Sequence, residues 1–492
     1  MGKSKNGNKS LVANSIFSSL RTLTTIIFPL ITYPYISRVL SVDNMGRINF
    51  GQSIVSYFLL LAGLGISTFA IREGSRIRDD RQRLNIFSSQ AFTINVIATV
   101  LSCMLLAGLV FLPTKIADYR EIILILGITI ALSPLAVDWL YAVEEDFAYI
   151  TLRGFCVQLL SLILMFLFVK NDSDVYLYVA LTTLASSLGN LFNFFQARKY
   201  VHLKLVKDTK WNEYKGAIML FFVNSIASTI YLNSDATLLS LMSGDRANGL
   251  YGVATKVYSI IKQMFNAVTG AIIPRLSYLI KNDIEQFEQL LNRIFSLTSF
   301  FIIPAIYGII LLREEIILLI SGKNYLDATS SLIILAVAIF FAVMANIFVN
   351  GLLICIGREK YVLRATIVSA TVNVGLNFIF IPWLAQDGAA ITTLIAEAIV
   401  CVMSFYYAKD YVKKLVDFAE LGKSLVGATL MFAIALAARG MFIEQFGIVI
   451  RILLTVIVSV LTYGVIMIVL RDKVLIWVLG IVREKIKILF VF

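Results

Sequence analysis

The chain has 492 residues, of which 59% are hydrophobic and 15% are charged, and its formal net charge is +12. Its mean hydropathy is +0.85. A water-soluble fold cannot hide so much apolar surface from solvent. A soluble enzyme or binding domain is therefore excluded, and the composition predicts a chain that crosses a membrane many times.

Apolar runs of about 20 residues, the length that crosses a bilayer as an α-helix, follow one another along the whole chain. We predict an all-α polytopic membrane protein with about fourteen transmembrane helices. The first span is longer than the apolar core of a signal peptide, so we expect it to be retained. The predicted spans cover 11–38, 46–71, 85–112, 121–143, 150–169, 175–197, 216–242, 249–274, 294–312, 328–356, 364–384, 388–408, 424–442 and 448–470.

Most of the 43 lysine and arginine residues fall in alternate loops, on the same side of the membrane as the N-terminus. Because positively charged loops stay in the cytoplasm, both termini are expected to be cytoplasmic. The positive net charge fits this bias and an attraction to anionic membrane lipids. The basic residues are spread over many short loops, so no domain for binding nucleic acid is expected.

A polar, basic segment at 198–215 separates the sixth and seventh spans and is predicted to link two lobes. Two sequence echoes indicate a repeat, since 43–51 resembles 245–252, and 145–147 resembles 359–361. Six spans separate the copies, and an even number preserves orientation, so we expect two parallel, pseudo-symmetric six-helix lobes. The predicted domains are an N-terminal lobe at 1–197, the linker at 198–215, a C-terminal lobe at 216–410, and two further helices with a cytoplasmic amphipathic tail at 411–492.

The first span carries an arginine far from either end, within a polar stripe on one helix face. The stripe consists of Asn14, Ser18, Arg21 and Thr25. Arg21 lies about ten residues, roughly 15 Å, from the inner end. An intramembrane charge costs at least about 2.5 kcal/mol and needs a partner. The span contains no acidic residue, so an anionic ligand can supply the missing charge.

The second and eighth spans carry polar faces of the same kind. Gln52 lies on such a face in the second span, and Lys262 and Asn266 lie on one in the eighth. Lys256 is about 120° around the helix from Lys262, so the two cannot both point at one spot, and we favour Lys262. Hydrogen bonds between helices explain most of the uncharged polar residues, but they explain an intramembrane cation less well.

Several short motifs, in this order and with this number of spans, resemble the polysaccharide flippases of the multidrug/oligosaccharidyl-lipid/polysaccharide exporter superfamily. The resemblance covers nearly the whole chain and is greatest to Wzx-type O-antigen and capsule repeat-unit flippases and to teichoic acid flippases. The motifs are Tyr33-Pro34-Tyr35-Ile36-Ser37-Arg38-Val39-Leu40, Gly46, Phe50-Gly51, Ile71-Arg72-Glu73, Asp138-Trp139, Gly249-Leu250-Tyr251 and Asn377-Phe378-Ile379-Phe380-Ile381-Pro382.

This resemblance implies a V-shaped pair of lobes around a cationic cavity in the bacterial cytoplasmic membrane. The cavity would carry an oligosaccharide linked to undecaprenyl diphosphate from the inner to the outer leaflet, beside glycosyltransferases or a glycan polymerase. Arg21 would contact the diphosphate, because a guanidinium offers paired donors as well as charge. Arg47 and Arg72, at the two ends of the second span, would assist at the cavity mouths or act as ordinary interfacial charges.

The related lipid II flippases also imply a sodium site, built from an acid on the seventh span with partners on the eleventh and twelfth. Asp235, Asn377 and Thr393 occupy similar positions, and their hard oxygen atoms would suit a small cation. Asp235 or Glu397 could instead accept a proton or form an internal hydrogen bond. We therefore expect no cofactor beyond Na+ or H+ as a coupling ion, and we assign no metal site firmly.

Two other classes of function remain to be weighed. A drug exporter of the same superfamily would share the fold, but an acid would be expected in the first lobe to attract cationic drugs, and that lobe carries Arg21 instead. A membrane-bound polysaccharide polymerase would need catalytic groups on a large outer loop, and the outer loops are short. The single histidine, His202, lies in the inner linker. The sequence therefore favours a transporter over an enzyme.

Overall fold

The computed structural model describes residues 20, 24–412, 418–477 and 480, and their regular structure is helical throughout. The predicted all-α class is confirmed. In chain order the helices are α1 (24–39), α2 (Val42–Gly63), α3 (Ile66–Arg76), α4 (Arg81–Phe111), α5 (Arg120–Ala131), α6 (Asp138–Val143), α7 (Phe147–Phe168), α8 (Val175–Ala197), α9 (Trp211–Ser243), α10 (Asp245–Asn282), α11 (Ile284–Leu311), α12 (Arg313–Ile320), α13 (Thr329–Asn346), α14 (Glu359–Val412), α15 (Phe418–Ala438) and α16 (Ile448–Val469).

Ten segments of the described residues are long and apolar enough to cross a membrane, which confirms a polytopic membrane protein. The count of fourteen stays a prediction. The predicted first span extends into residues that the structure does not describe. The predicted span 121–143 is divided between α5 and α6. The predicted spans 364–384 and 388–408 both lie on α14, which is divided at Ala385.

Several helices begin after a residue whose side chain accepts from a free amide group of the first turn. Asp80, Asp146 and Asp283 each precede a helix and accept from the backbone N–H three residues later, at 3.0 Å, 3.3 Å and 2.9 Å. Such caps satisfy donors that the helix itself leaves without a partner. The sequence therefore fixes where α4, α7 and α11 begin.

Helix α14 consists of two arms that meet at Ala385. Pro382 precedes this residue, and Ala385 itself has φ 46° and ψ −122°, outside the helical region. Proline removes a backbone donor and a positive φ is unfavourable for alanine, so the helix turns here. The first arm (359–384) and the second arm (386–412) can then pack against each other.

Contacts between residues divide the chain into two compact units, one ending at Gly252 and the other beginning at Val253. Helix α9, which we predicted to open the second lobe, packs against α2 and α3 in the first unit. The hydroxyl of Thr237 on α9 donates to Ser53 on α2 at 2.9 Å. The predicted lobe boundary at 198–215 stays a prediction, and the contact-based boundary falls later in the chain.

The two echo segments that begin at Asp43 and Asp245 meet inside the first unit, where the N-terminal ends of α2 and α10 touch. A Cβ atom at Gly46 would collide with the carbonyl oxygen of Asp245, and a Cβ atom at Gly249 would collide with that of Val42. Each glycine lies four residues after the residue whose carbonyl group the other glycine approaches, so the two contacts are reciprocal. Glycine is required at both positions because any side chain would meet backbone.

Amide side chains join the two echo segments beside these glycines. Asn248 donates from Nδ2 to the carbonyl oxygen of Gly46 at 3.1 Å and to the hydroxyl of Ser240 at 2.9 Å. Asn49 donates from Nδ2 to the carbonyl oxygen of Asn248 at 3.3 Å. The contact therefore combines close backbone approach with hydrogen bonds, a combination that stabilises helix pairs in membranes.

Ionic contacts hold both ends of α15 in the second unit. Glu315 is 2% exposed and accepts from Arg439 at 2.5 Å. At the opposite end of α15, Lys423 binds Glu420 at 2.8 Å. Burial, together with the neighbouring Glu420 carboxyl, raises the pKa of Asp472 to about 6. The Arg439 contact joins the end of α15 to α12, the Lys423 contact lies within α15, and Asp472 joins the start of α15 to the segment that follows α16.

The glycine contact predicts a local sensitivity to one methyl group. Gly46→Ala should lower the stability of the protein by about 1–3 kcal/mol, because the new Cβ atom meets the backbone of Asp245 and overpacking of this kind is costly. The thermal midpoint of the purified protein in detergent measures the effect.

The matched control is Gly154→Ala on α7, where a Cβ atom would meet nothing within 4 Å. This variant should be unchanged or stabilised by up to about 1 kcal/mol, since alanine is the better helix former. Equal thermal midpoints for the two variants would contradict the proposed close approach.

Candidate substrate-binding site

One lysine inside the second unit lies beside a buried carboxylate. Lys262 on α10 places its Nζ atom 2.5 Å from Oε1 of Glu397 on the second arm of α14. The hydroxyl of Tyr258 donates to the same carboxylate oxygen, and Lys262 Nζ donates to that hydroxyl at 3.0 Å. Tyr258 and Lys262 are four residues apart, so the helix brings both to one face. We call these three residues the ion-pair cluster.

The two charges of the ion-pair cluster differ in exposure. The Glu397 side chain is 4% exposed, whereas that of Lys262 is 25% exposed. An unpaired carboxylate buried so deeply would cost several kcal/mol, and a nearby cation with hydrogen bonds offsets this cost. The carboxylate is therefore enclosed by protein, while part of the lysine side chain stays exposed.

The sequence placed these residues in different roles, with Lys262 as a substrate ligand and Glu397 as a group that couples transport to a cation. The structure brings them together across 135 positions of the chain. The counter-charge of Lys262 thus comes from the protein itself. Any anionic ligand that binds Lys262 has to compete with Glu397 for its ammonium group.

Asn266 and Lys256 are the other predicted substrate residues on α10, and both side chains are partly exposed. Asn266 follows Lys262 by four residues and shares its face. Its Oδ1 atom is buried and has no hydrogen-bond partner among the described residues. A buried acceptor without a partner is costly, so a hydroxyl or water donor at this atom would be stabilising.

The predicted ligands on the first span lie mostly beyond what the structure describes. Arg21 and Ser18 fall outside the described residues. Thr25 on α1 and Gln52 on α2 are exposed. The proposed contact between Arg21 and a diphosphate therefore stays a prediction.

Arg47 and Arg72 have partners within the first unit. Arg47 donates from Nη2 to the carbonyl oxygen of Asp118 at 3.3 Å. Arg72 donates from Nε to Glu73 at 3.0 Å and lies over the ring of Phe221, 5.1 Å from its centre. These contacts suit ordinary interfacial charges, and a substrate role for either arginine stays a prediction.

The predicted cation ligands are divided between the units, with Asp235 in the first and Asn377, Thr393 and Glu397 in the second. Asp235 is 7% exposed and accepts a hydrogen bond from Tyr251 at 2.7 Å. The described residues contain no group of three His, Cys, Asp or Glu side chains that could hold a metal ion. A sodium site of amide and hydroxyl oxygens is a different kind of site, and it stays a prediction.

Sequence reasoning missed Thr392, the neighbour of the predicted Thr393. The Thr392 hydroxyl donates to Asn377 Oδ1 at 2.5 Å, and Asn377 donates to Asn373 Oδ1 at 3.4 Å. One residue rotates a side chain by about 100° around a helix, so a span boundary known only to within a few residues cannot select between two adjacent threonines. The three buried side chains join the two arms of α14.

Long apolar helices that enclose an ion pair define a polytopic membrane protein with charged groups inside its spans. Residues 11–280 match the family described as "Polysaccharide biosynthesis protein". The match covers more than half of the chain, and the chain belongs to the polysaccharide biosynthesis protein family.

Two relatives carry names that refer to glycan transport. A protein of Escherichia coli K12 with the provisional name O-antigen transporter is 23% identical over 423 residues, which cover 82% of this chain and 98% of that protein. A protein of Haloferax volcanii with the provisional name low-salt glycan biosynthesis flippase Agl15 is 26% identical over 235 residues, which cover 46% of this chain and 50% of that protein.

Two solved structures share the fold. The lipid II flippase MurJ in an inward closed conformation has a TM-score of 0.73 at 18% identity, over 94% of this chain and 99% of that one. An inward-facing multidrug resistance MATE transporter has a TM-score of 0.59 at 15% identity, over 80% of this chain and 95% of that one. The expected superfamily fold is confirmed, but fold alone does not separate a glycan flippase from a drug exporter.

The bond between the arms of α14 makes a testable prediction. Thr392→Val keeps the shape of the side chain but removes the hydroxyl that binds Asn377, so the protein should lose about 1–2 kcal/mol of stability. The thermal midpoint in detergent measures this loss. Thr371→Val on the same helix is the control, because that exposed hydroxyl, among the described residues, binds the carbonyl oxygen of Ile367 alone, at 2.9 Å. A smaller loss for Thr392→Val than for the control would contradict the structural role.

Proposed function

We propose that the chain is a flippase that moves a lipid-linked oligosaccharide from the inner to the outer leaflet of the cytoplasmic membrane by alternating access. The observation that carries this proposal is the similarity to nearly the full length of a relative named for O-antigen transport. Membership in a polysaccharide biosynthesis family agrees with it. The glycan would be an O-antigen, capsule or teichoic acid precursor.

The sign of the exposed charge supports an anionic substrate. Inside the ion-pair cluster, the acid Glu397 is enclosed, and Lys262 is the charged residue whose side chain is partly exposed. A diphosphate joined to a lipid such as undecaprenol would be attracted there, whereas an organic cation would be repelled. This arrangement favours a flippase over a drug exporter. The names of the relatives, a transporter and a flippase, favour transport over polymerisation.

The orientation in the membrane completes the proposal. The distribution of lysine and arginine supports a bacterial cytoplasmic membrane protein with both termini in the cytoplasm. Glycosyltransferases would then deliver the lipid-linked glycan to the inner face, and a polymerase would receive it outside. Reporter fusions at the two ends test the orientation, because an enzyme that is active only outside the cytoplasm should be inactive at both.

A reconstituted assay tests the function directly. Purified protein in liposomes should expose a fluorescent, diphosphate-linked oligosaccharide lipid to an impermeant reagent at the outer leaflet. A second arm should follow uptake of an organic cation, and a third should follow radiolabel transfer into polymer. Movement of the lipid with neither of the other activities supports the proposal, and movement of the cation alone would replace it with drug export.

The first functional prediction concerns Arg21. If this guanidinium binds the diphosphate, Arg21→Ala should abolish complementation of a flippase-deficient strain while the protein still reaches the membrane. Arg21→Lys should restore only part of the activity, because lysine keeps the charge but loses the paired donors. Normal glycan display by Arg21→Ala, at equal expression, would remove the residue from the site.

The second functional prediction concerns a coupling ion, Na+ or H+. A ligand shifts two conformations only if it binds them with different affinity. Asp235→Asn keeps an acceptor for Tyr251 and removes the charge, so it should slow flipping more than it weakens binding of the lipid. Flipping in liposomes is measured with a sodium gradient, a proton gradient or neither, for the wild type and the variant. Equal rates throughout would show that Asp235 is structural and that consumption of the product drives flux.

A further inference from the structure

The two charged members of the ion-pair cluster differ in freedom of movement. Glu397 is held by its burial and by the hydroxyl of Tyr258, which donates to the same oxygen that Lys262 binds. The ammonium group of Lys262 lies at the end of a flexible side chain with four rotatable bonds, and a quarter of that side chain is exposed. The ammonium group can therefore turn toward a ligand while the carboxylate stays in place.

We propose that Glu397 is an internal counter-ion that competes with the diphosphate of the substrate for Lys262 and so sets how tightly the substrate is held. The inference rests on the proposed function and adds a residue that determines affinity. Glu397 does not touch the substrate in this scheme. It acts through Lys262 and is a positioning residue.

A competing counter-ion is useful because the charge of Lys262 needs a partner both when the carrier is empty and when it holds the substrate. An empty site with a lone lysine would hold an unpaired charge inside the membrane, which is unfavourable. A lysine with no competitor would also hold a diphosphate firmly and release it slowly. With Glu397 present, binding opens the ion pair and release restores it, so the empty carrier is stabilised and the substrate can leave.

A purely structural ion pair makes the opposite prediction for one variant. If Glu397 only stabilises the helices, Glu397→Gln should leave diphosphate affinity unchanged or weaken it. If Glu397 competes for Lys262, the same variant should bind diphosphate more tightly, by about tenfold, because the amide removes the competing charge; this factor corresponds to about 1.4 kcal/mol. Under the competition hypothesis, Glu397→Gln therefore lowers the stability of the protein but raises its affinity for diphosphate.

The experiment measures binding by the full-length protein in nanodiscs of neutral lipid. The probes are undecaprenyl diphosphate, inorganic pyrophosphate and undecaprenol, which lacks phosphate. Glu397→Gln should bind undecaprenyl diphosphate about tenfold more tightly and flip it more slowly, with undecaprenol binding unchanged. Lys262→Met should bind the diphosphate lipid more weakly, and the double variant should match Lys262→Met, since the competitor acts only through the lysine.

A second ion pair in the same unit supplies a matched control. Lys423 and Glu420 lie 2.8 Å apart with side chains 29% and 5% exposed, close to the exposures of Lys262 and Glu397. Glu420→Gln removes the same charge at the same burial and should leave diphosphate affinity at the wild-type value. An equal gain in affinity for Glu420→Gln would overturn the proposal, because the effect would then be one of net charge.

The remaining outcomes separate the inference from the function. A folded Glu397→Gln variant with unchanged or weaker affinity overturns the inference, while flipping by the wild type leaves the function standing. A wild type that neither binds nor flips the diphosphate lipid overturns both. Tighter binding of pyrophosphate alone would assign the cluster to a free anion and reject the substrate role. If Glu397→Gln does not fold, Glu397→Asp lengthens the ion pair and should give a smaller gain in the same direction.

Discussion

The bilayer core contains no water, so a polar group that enters it is stabilised by a partner within the chain. Many hydroxyl groups meet this constraint inside their own helix, as Thr24 and Ser37 do by donating to the carbonyl oxygen four residues earlier, each at 2.7 Å. Groups that cannot do so join different helices. The bond between Thr392 and Asn377 joins the two arms of α14 in this way, and the ion pair of Lys262 with Glu397 joins α10 to α14.

The same constraint explains why close backbone contact matters in this protein. Lipid tails are as apolar as leucine, so helices in a membrane gain little from covering apolar side chains. Gly46 and Gly249 instead let the ends of α2 and α10 approach until backbone meets backbone. Asn248 then finds acceptors across the contact. Small residues and amides together stabilise this pair of helices.

The sequence predicted the all-α membrane fold well because each transmembrane helix corresponds to one contiguous apolar run. It also singled out Lys262 as a functional candidate, since a charge inside such a run is costly. It could not predict that Glu397 is the partner, because the pairing depends on how α14 bends at Ala385 and on contacts between distant segments. It also missed the bond from Thr392 to Asn377, because one residue rotates a side chain by about 100° around a helix, and the role of Thr393 stays a prediction. Arg21, which carried most of the reasoning about function, lies outside the described residues and stays a prediction.

The distance along the chain between Lys262 and Glu397 has a consequence for biogenesis. A ribosome adds about 5–20 residues each second, and 135 positions separate the two residues, so the lysine is made about 7 to 27 s before its partner. A lysine at the centre of an inserting helix costs about 2.5–3.5 kcal/mol at the translocon. Helix α10 therefore leaves the ribosome without its counter-charge. The cost of the buried lysine is offset only after α14 has been made, so the order of synthesis, as well as the finished contacts, bears on how this site is assembled.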